Sequence, residues 1–268
     1  MKKKVFPLLL SLTLFCCTIP ISAASSTTVY IDGTALQAHC PLEQGTTYVP
    51  LRAFLDTVGS YTVWWDRASR AAAARSSESE IAAPVGKKTL IVDGVSYDLP
   101  NAVYLENGVT YVPLRIFAGA LGYDVYWDHS RGGAAVDTTA KQAFYPYTEE
   151  DLYWLSRVIY AESGAESLEG QIAVGNVVLN RVRSAEYPDS IYGVIFDTKD
   201  AVQFEPTSNG TIYNIPSKLS VTAAKLALRG NRPVKNSLYF YAPALSQGTW
   251  INANCTYVRT IGCHRFYR

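Results

Sequence analysis

One stretch of this chain is written twice. TTYVPLRAFLDTVGSYTVWWD at 46–66 returns as VTYVPLRIFAGALGYDVYWD at 109–128. Tyr48-Val49-Pro50-Leu51-Arg52 becomes Tyr111-Val112-Pro113-Leu114-Arg115, Gly59 becomes Gly122, and Trp65-Asp66 becomes Trp127-Asp128, with Ser60 unmatched. Upstream, Tyr30-Ile31-Asp32-Gly33 is echoed by Ile91-Val92-Asp93-Gly94. Such a match marks a duplicated unit of about 60 residues.

Each copy reads the same way. A short strand ends in an Asp-Gly turn, and a second strand leads into Tyr-Val-Pro-Leu. Proline at that point suits a strand edge or a helix entry. Arg52–Val58 and Arg115–Leu121 carry apolar residues at helical spacing, with Gly59 and Gly122 as C-terminal caps. A strand bearing the aromatic pair follows. The expected unit is a small β-rich fold with one helix.

These repeats resemble the copper amine oxidase N-terminal-like domain over roughly residues 29–138. The resemblance implies an extracellular accessory module of the kind attached to wall-acting enzymes. A copper site wants several imidazole or thiolate ligands, and this half offers only His39, His129 and Cys40. No metal and no cofactor are therefore expected. Trp64, Trp65 and Trp127 have two readings, a sugar-stacking platform or core residues, and the core is favoured for most of them.

The ends of the chain set the compartment. Lys2, Lys3 and Lys4 precede an apolar run from Val5 to Ile21, and Ser22-Ala23-Ala24 supply small residues. Residues 1–24 read as a secretory signal, which implies a secreted, wall- or spore-associated protein with no stable membrane partner after cleavage. An uncleaved anchor is the other reading. Elsewhere no apolar run approaches the roughly 20 residues of a bilayer span. Export permits disulfides. Cys255 and Cys263 are a candidate pair stapling a C-terminal hairpin, with Cys40 left over; three reduced thiols is the alternative. From Pro206 to Arg268 there are eight Lys/Arg and no Asp/Glu. A one-sign stretch favours an anionic partner such as a wall polymer, or is simply solvated. No nucleic-acid-binding signature accompanies it.

Residues 139–147 read as a linker, and the chemistry lies in 148–268. Thr148-Glu149-Glu150-Asp151 opens a helix with a capping-box pattern. Leu152, Leu155 and Ile159 then form an apolar stripe whose next position is Glu162. A carboxylate there is expensive to desolvate and responds with a raised pKa, as a general acid near neutral pH requires. The competing reading is a helix-end Glu paired with Arg157 or Arg181. Ser167 caps a second helix, on which Gly175 admits a close neighbour. Asn176 and Asn180 share one side of that helix, and Asn180 is read as a buried amide that orients a neighbour.

Several ordered motifs carry a second resemblance. Val158-Ile159-Tyr160-Ala161-Glu162, Glu169-Gly170-Gln171-Ile172-Ala173-Val174 and Val178-Leu179-Asn180-Arg181-Val182 come first. Tyr192-Gly193-Val194-Ile195, Gln203-Phe204, Leu238–Pro243 and His264-Arg265-Phe266-Tyr267 follow. Together they resemble the SleB/CwlJ cell wall hydrolase family over roughly residues 148–267. The resemblance implies an α+β, lysozyme-like catalytic domain, behind the β-rich duplicated module, that cleaves peptidoglycan glycan strands at N-acetylmuramic acid. It implies Glu162 as the acid, and a lytic transglycosylase outcome with 1,6-anhydro products. A conventional glycosidase needs two carboxylates about 5–9.5 Å apart, and Glu162 is the one acid in a clearly core-facing position.

Supporting roles follow from residue type. Gln203 is a candidate for bonding an N-acetyl group or sugar hydroxyl. Phe204, Tyr239 and Tyr241 are candidates for stacking on sugars, and His264 for a hydrogen bond in the cleft or for a plain strand position. Two departures from the family pattern stand out: Cys263 replaces an Asn before the late His, and Glu205 follows Gln203-Phe204. Glu205 near Glu162 would disfavour its ionisation and could recruit water for hydrolysis. A hydrolytic muramidase with Glu205 as second acid, and an inactive wall-binding protein, remain alternatives. An amidase or peptidase would need a metal cluster or a Cys/His pair.

Overall fold

The computed structural model describes residues 25–139, 147–199 and 202–268. The expected signal at 1–24 and most of the expected linker lie outside these residues. Among the described residues no helix is long and apolar enough to cross a membrane.

The first half contains β1 (Ser25–Ser26), β2 (Val29–Ile31), β3 (Thr34–Ala35), β4 (Pro41–Glu43), β5 (Thr46–Pro50), α1 (Leu51–Val58), β6 (Thr62–Asp66) and β7 (Ala71–Arg75). It continues with β8 (Glu80–Pro84), β9 (Thr89–Val92), β10 (Val95–Asp98), β11 (Tyr104–Glu106), β12 (Val109–Pro113), α2 (Leu114–Ala120), β13 (Asp124–Asp128) and β14 (Gly133–Asp137). The two copies do not stand side by side; they interlock. Strand β5 pairs antiparallel with its own repeat, β12, with Val49 opposite Val112 and each Tyr opposite the other copy's Pro. One sheet runs β1-β4-β5-β12-β11 across this local twofold. The flanking sheets, β10-β9-β8-β7-β6 and β13-β14-β2-β3, each join the aromatic hairpin of one copy to the Asp-Gly hairpin of the other. Phe54 of α1 and Phe117 of α2 meet in the shared core with ring centroids 5.2 Å apart.

The repeated motif is explained by what its residues bond. Pro50 and Pro113 end their strands and open α1 and α2. Arg52 donates to the Val63 carbonyl at 3.0 Å and Arg115 to the Val125 carbonyl at 2.6 Å, so each arginine pins the strand that follows its helix. Asp66 and Asp128 accept backbone N–H groups two residues on, which shapes both hairpin turns. Asp32-Gly33 and Asp93-Gly94 have positive φ at both positions, the requirement of a two-residue hairpin. Gln44-Gly45 and Asn107-Gly108 do the same, turns that the sequence reading passed over. Gly122 takes the expected left-handed cap with φ 87°. Gly59 does not: its φ of 174° is extended.

The second half comprises α3 (Glu149–Ser163), α4 (Leu168–Arg183), α5 (Ile191–Ile195), α6 (Pro206–Asn209), α7 (Lys218–Leu228), β15 (Tyr239–Tyr241), α8 (Thr249–Asn254), β16 (Tyr257–Ile261) and β17 (His264–Tyr267). Mixed helix and strand behind a β-rich module is the expected class. The capping box of α3 is formed: Thr148 Oγ1 accepts the Asp151 N–H at 3.1 Å while Asp151 accepts that of Thr148 at 2.9 Å. Helix α4 is buried on every side from Gly170 to Arg181, as befits the central helix of a bundle. A Cβ added at Gly175 would lie 2.8 Å from Ile159 of α3 and 3.3 Å from Ala227 of α7. The glycine thus lets three helices meet, as expected. The sheet β15-β17-β16 closes one end.

The two halves are joined by charge. Arg229 pairs with Asp93, and Lys218 with Asp98 at 3.3 Å. Lys225 donates to the Ser96 carbonyl at 2.6 Å, and the Arg232 N–H to Asp124 at 2.6 Å. Arg115 and Arg259 share Glu169 at 3.3 and 3.1 Å. Much of the basic stretch that suggested an anionic partner therefore meets acids and carbonyls of the same chain. The candidate Cys255–Cys263 bridge is absent and both thiols are free, the alternative the sequence offered. In the hairpin, Ile261 pairs with His264 and Tyr257 with Tyr267, so Cys263 is at the turn and Cys255 near the open end. At about 3.3 Å per residue that separation far exceeds disulfide reach. Cys40 is buried, and desolvation pushes its thiol up to about 11.

Gly175→Val is expected to lower stability by roughly 1–3 kcal/mol through overpacking, read by denaturant unfolding. An unchanged midpoint would contradict the close meeting of α3, α4 and α7.

Candidate active site

A groove of about 1280 Å³ crosses the second half. Helix α3 contributes Tyr160 and Glu162 from its last turn, α4 contributes Arg181, and the segment before α6 contributes Gln203 and Glu205. Strand β15, the edge of its sheet, forms a wall with Tyr239. Trp250 of α8 and His264 of β17 complete the lining used below.

Glu162 sits where the stripe of α3 runs out into this groove. Leu155 and Ile159 on the same stripe are fully buried. Its carboxyl is raised to about 7; burial is the main cause, the negative charge of Glu205 adds to it, and the Arg181 guanidinium opposes both. Its place in the last turn of α3, the negative end of the helix dipole, also disfavours the anion. Such a group is part protonated and part ionised near neutral pH, so it can give up a proton and take one back.

Arg181 was read in the sequence only as a rival partner for Glu162. It is the organiser of the groove floor. Nε donates to the Leu238 carbonyl at 2.8 Å and Nη1 to Gln203 Oε1 at 3.1 Å. Its guanidinium stacks near Tyr187, Phe204 and Tyr239, at 4.9, 5.3 and 5.7 Å from the ring centroids. Gln203 is thereby oriented with its carbonyl engaged. Asn180, one residue before, donates to the Lys235 and Ser237 carbonyls at 2.8 and 2.9 Å. It holds the segment that enters β15.

The aromatic candidates divide. Tyr239 faces the groove and meets Trp250 edge-on at 5.7 Å. Tyr241 borders the groove but is buried: it stacks on Tyr267 at 5.8 Å, bonds Asn252 at 3.1 Å and lies under Gly248. Phe204 is a correction. It is only 2% exposed, and Gln203 alone of that pair lines the groove. An apolar ring beside a polar neighbour in a loop goes to the core when the neighbour takes the surface. Trp250, 60% exposed, was missed; it lies in a polar segment, TWINAN, with no periodic signal.

His264 lies at the groove floor between Phe240 and Phe266, with centroids at 5.4 and 6.3 Å. Burial lowers its pKa, and Glu166 partly offsets this. Glu166, which the sequence marked only as part of a helix break, reaches to 3.6 Å from His264 Nδ1 and accepts the Cys263 N–H at 3.1 Å. Gly262 is left-handed there, and a Cβ would collide with this carboxylate.

Comparisons with known proteins agree with both halves. Residues 165–267 match the family described as Cell Wall Hydrolase, and residues 30–134 match the copper amine oxidase N-terminal domain. The spore cortex-lytic enzyme of Bacillus cereus is 34% identical over 120 residues, 45% of this chain and 45% of that protein. The cell wall hydrolase CwlJ of Oceanobacillus iheyensis is 26% identical over 138 residues, 46% of this chain and 96% of that one. Among solved structures, the catalytic domain of the germination-specific lytic transglycosylase SleB from Bacillus anthracis is 34% identical, covering 46% of this chain and 97% of that one, with a TM-score of 0.42. The chain spans about half the length of the cortex-lytic relatives it matches, 45% for the one named. It joins a copper amine oxidase N-terminal-like domain to a cell wall hydrolase domain of the SleB/CwlJ kind. The matched hydrolase stretch begins three residues beyond Glu162.

The raised carboxyl has a stability signature. Between the ordinary carboxylate range and about 7 the folded chain holds more protons at Glu162 than the unfolded chain does. Stability therefore falls as pH rises through that window and stays reduced above it. Glu162→Gln is expected to stabilise the fold by ~1–3 kcal/mol near pH 8 and to be neutral near pH 4. Denaturant unfolding at both pH values checks this, and an equal effect at the two would remove ionisation as the cause.

Proposed function

We propose that this chain is an exported enzyme that cleaves the glycan strand of peptidoglycan at N-acetylmuramic acid, with Glu162 as its catalytic acid and then base. The observation that carries the reading is a half-buried carboxyl with its pKa raised to about 7, in a large groove walled by Tyr239 and Trp250. The resemblance to cortex-lytic and SleB proteins supports the substrate class. Export rests on the signal-like residues 1–24.

In this mechanism protonated Glu162 gives its proton to the glycosidic oxygen beyond N-acetylmuramic acid. The bond breaks, and charge develops at the anomeric carbon. The new carboxylate takes the proton of the C6 hydroxyl, whose oxygen closes the 1,6-anhydro ring, and Glu162 is again protonated. No water enters. Gln203, oriented by Arg181, bonds the sugar's polar edge, and Tyr239 and Trp250 stack on its apolar faces. Glu205 keeps Glu162 protonated by its charge.

A second reading has one observation in its favour: Glu205 is an exposed carboxylate in the same groove. Activating a water there would give hydrolysis and a reducing end.

Glu162→Gln is expected to cut release of muropeptides from purified sacculi by about 10²–10⁴-fold, and wild-type clearing by this variant would overturn the mechanism. Wild-type kcat/KM is expected to fall as pH rises past about 7, because the acid form is lost. Glu205→Gln removes a charge that raises Glu162, so this alkaline limb moves to lower pH. Mass spectrometry of its products separates the two readings. An unchanged anhydro-to-reducing-end ratio supports transglycosylation without Glu205, and a lost reducing-end fraction supports the hydrolytic role.

A further inference from the structure

Each copy of the repeat carries an aromatic pair that the groove does not use. Trp64, Trp65, Tyr126 and Trp127 are 39%, 42%, 40% and 40% exposed, against the expectation that most of the three tryptophans are core. The register supplies the reason. Trp64 faces Ala73 and Trp65 faces Ala72 across one hairpin, while Tyr126 faces Ala135 and Trp127 faces Ala134 across the other. An alanine methyl covers little of a ring, so each of the four residues keeps about two-fifths of its surface exposed. Leaving large rings uncovered forfeits burial energy, yet both copies keep them at equivalent positions.

The copies differ in what surrounds the pair. Tyr126 lines a cleft against the second half, beside Arg232 and Glu169. The other hairpin differs: the residues lining the surface around Trp64 all come from the first half. A shallow site of about 460 Å³ surrounds Trp64, lined by Ser60, Thr62, Arg75, Ser76 and Ser77. The Arg75 guanidinium is 5.9 Å from the indole centroid and is tethered to Glu80 at 2.7 Å. Ser76 Oγ accepts the N–H groups of Glu78 and Ser79, which leaves its O–H to donate.

We infer that this Trp64 site is a second, non-catalytic glycan-binding site that holds a β-linked N-acetylhexosamine strand. A pyranose presents an apolar C–H face within a rim of hydroxyls and amides. A part-exposed indole with four hydroxyl side chains beside it and the Arg75 guanidinium over its ring matches both parts. Because Glu80 balances Arg75, the rim carries no net charge, which suits a neutral sugar face and not a polyanion. The choice of polymer rests on the proposed function: a tethered module that holds the strand cut in the groove raises its local concentration.

The test is co-sedimentation of the full chain with purified sacculi at physiological ionic strength. Trp64→Ala is expected to weaken retention about tenfold, and Trp64→Phe, which keeps a flat ring, to restore most of it. Circular dichroism melting of both variants guards against a folding artefact. Wild-type retention by Trp64→Ala, or equal loss in the Ala and Phe variants, overturns the inference. If Glu162→Gln still cleaves sacculi while Trp64→Ala loses retention, the catalytic reading fails and this site stands.

Discussion

From Gly170 to Arg181 helix α4 has no solvent-facing side, and the bonds its buried polar donors make organise the whole chain. Buried amides and guanidinium groups are costly unless paired. Asn176, Asn180 and Arg181 all donate to the backbone of one segment, at the carbonyls of Asn231, Lys235, Ser237 and Leu238. That segment links α7 to β15. At one end Asn231 passes the constraint to the first half, through a 2.8 Å bond to the Gly119 carbonyl. At the other end Arg181 grips Leu238 and Gln203 together, so the groove wall and the Gln203 side chain that lines it are set by the same column. The groove and the contact between the halves are two ends of one hydrogen-bonded line.

Duplication accounts for the first half, and asymmetry makes it useful. Asp32 and Asp93 hold equivalent turns. Asp32 accepts the backbone N–H of Thr138 within its own half, whereas Asp93 also receives Arg229 from α7. Arg115 pins its strand as Arg52 does, and in addition reaches Glu169 of α4. One copy has turned repeated residues into a docking surface, while in the other Asp32 and Arg52 bond within the first half. Opposite charge in the two halves draws them together, and the short-range bonds to carbonyls and amides set the register, since exposed ion pairs alone contribute little.

Some of this was legible in the sequence for a physical reason. Caps, turns and apolar spacing act over a few residues. The Thr148–Asp151 box, the Asp-Gly hairpins, the entry prolines and the end of the α3 stripe at Glu162 could all be read directly. Gly175 was legible because a helix interior gives glycine few other uses. Phe204, Trp250 and the Cys255–Cys263 pair were not. A loop aromatic has no periodicity to say which way it faces, and eight residues in sequence become opposite ends of a hairpin once the turn is at Cys263.

By itself the sequence determined the two-part order of the chain, the repeat, the helices of the second half and the position of an acid at the rim of a core. These depend on neighbours close along the chain. Tertiary structure alone decided that the copies interlock through β5 and β12, that the basic stretch meets acids of the first half, that alanines leave four aromatic side chains part-exposed, and that Glu205 and Arg181 act on Glu162 in opposite directions. Those outcomes depend on residues tens of positions apart brought within a few ångströms, and no local pattern carries that information.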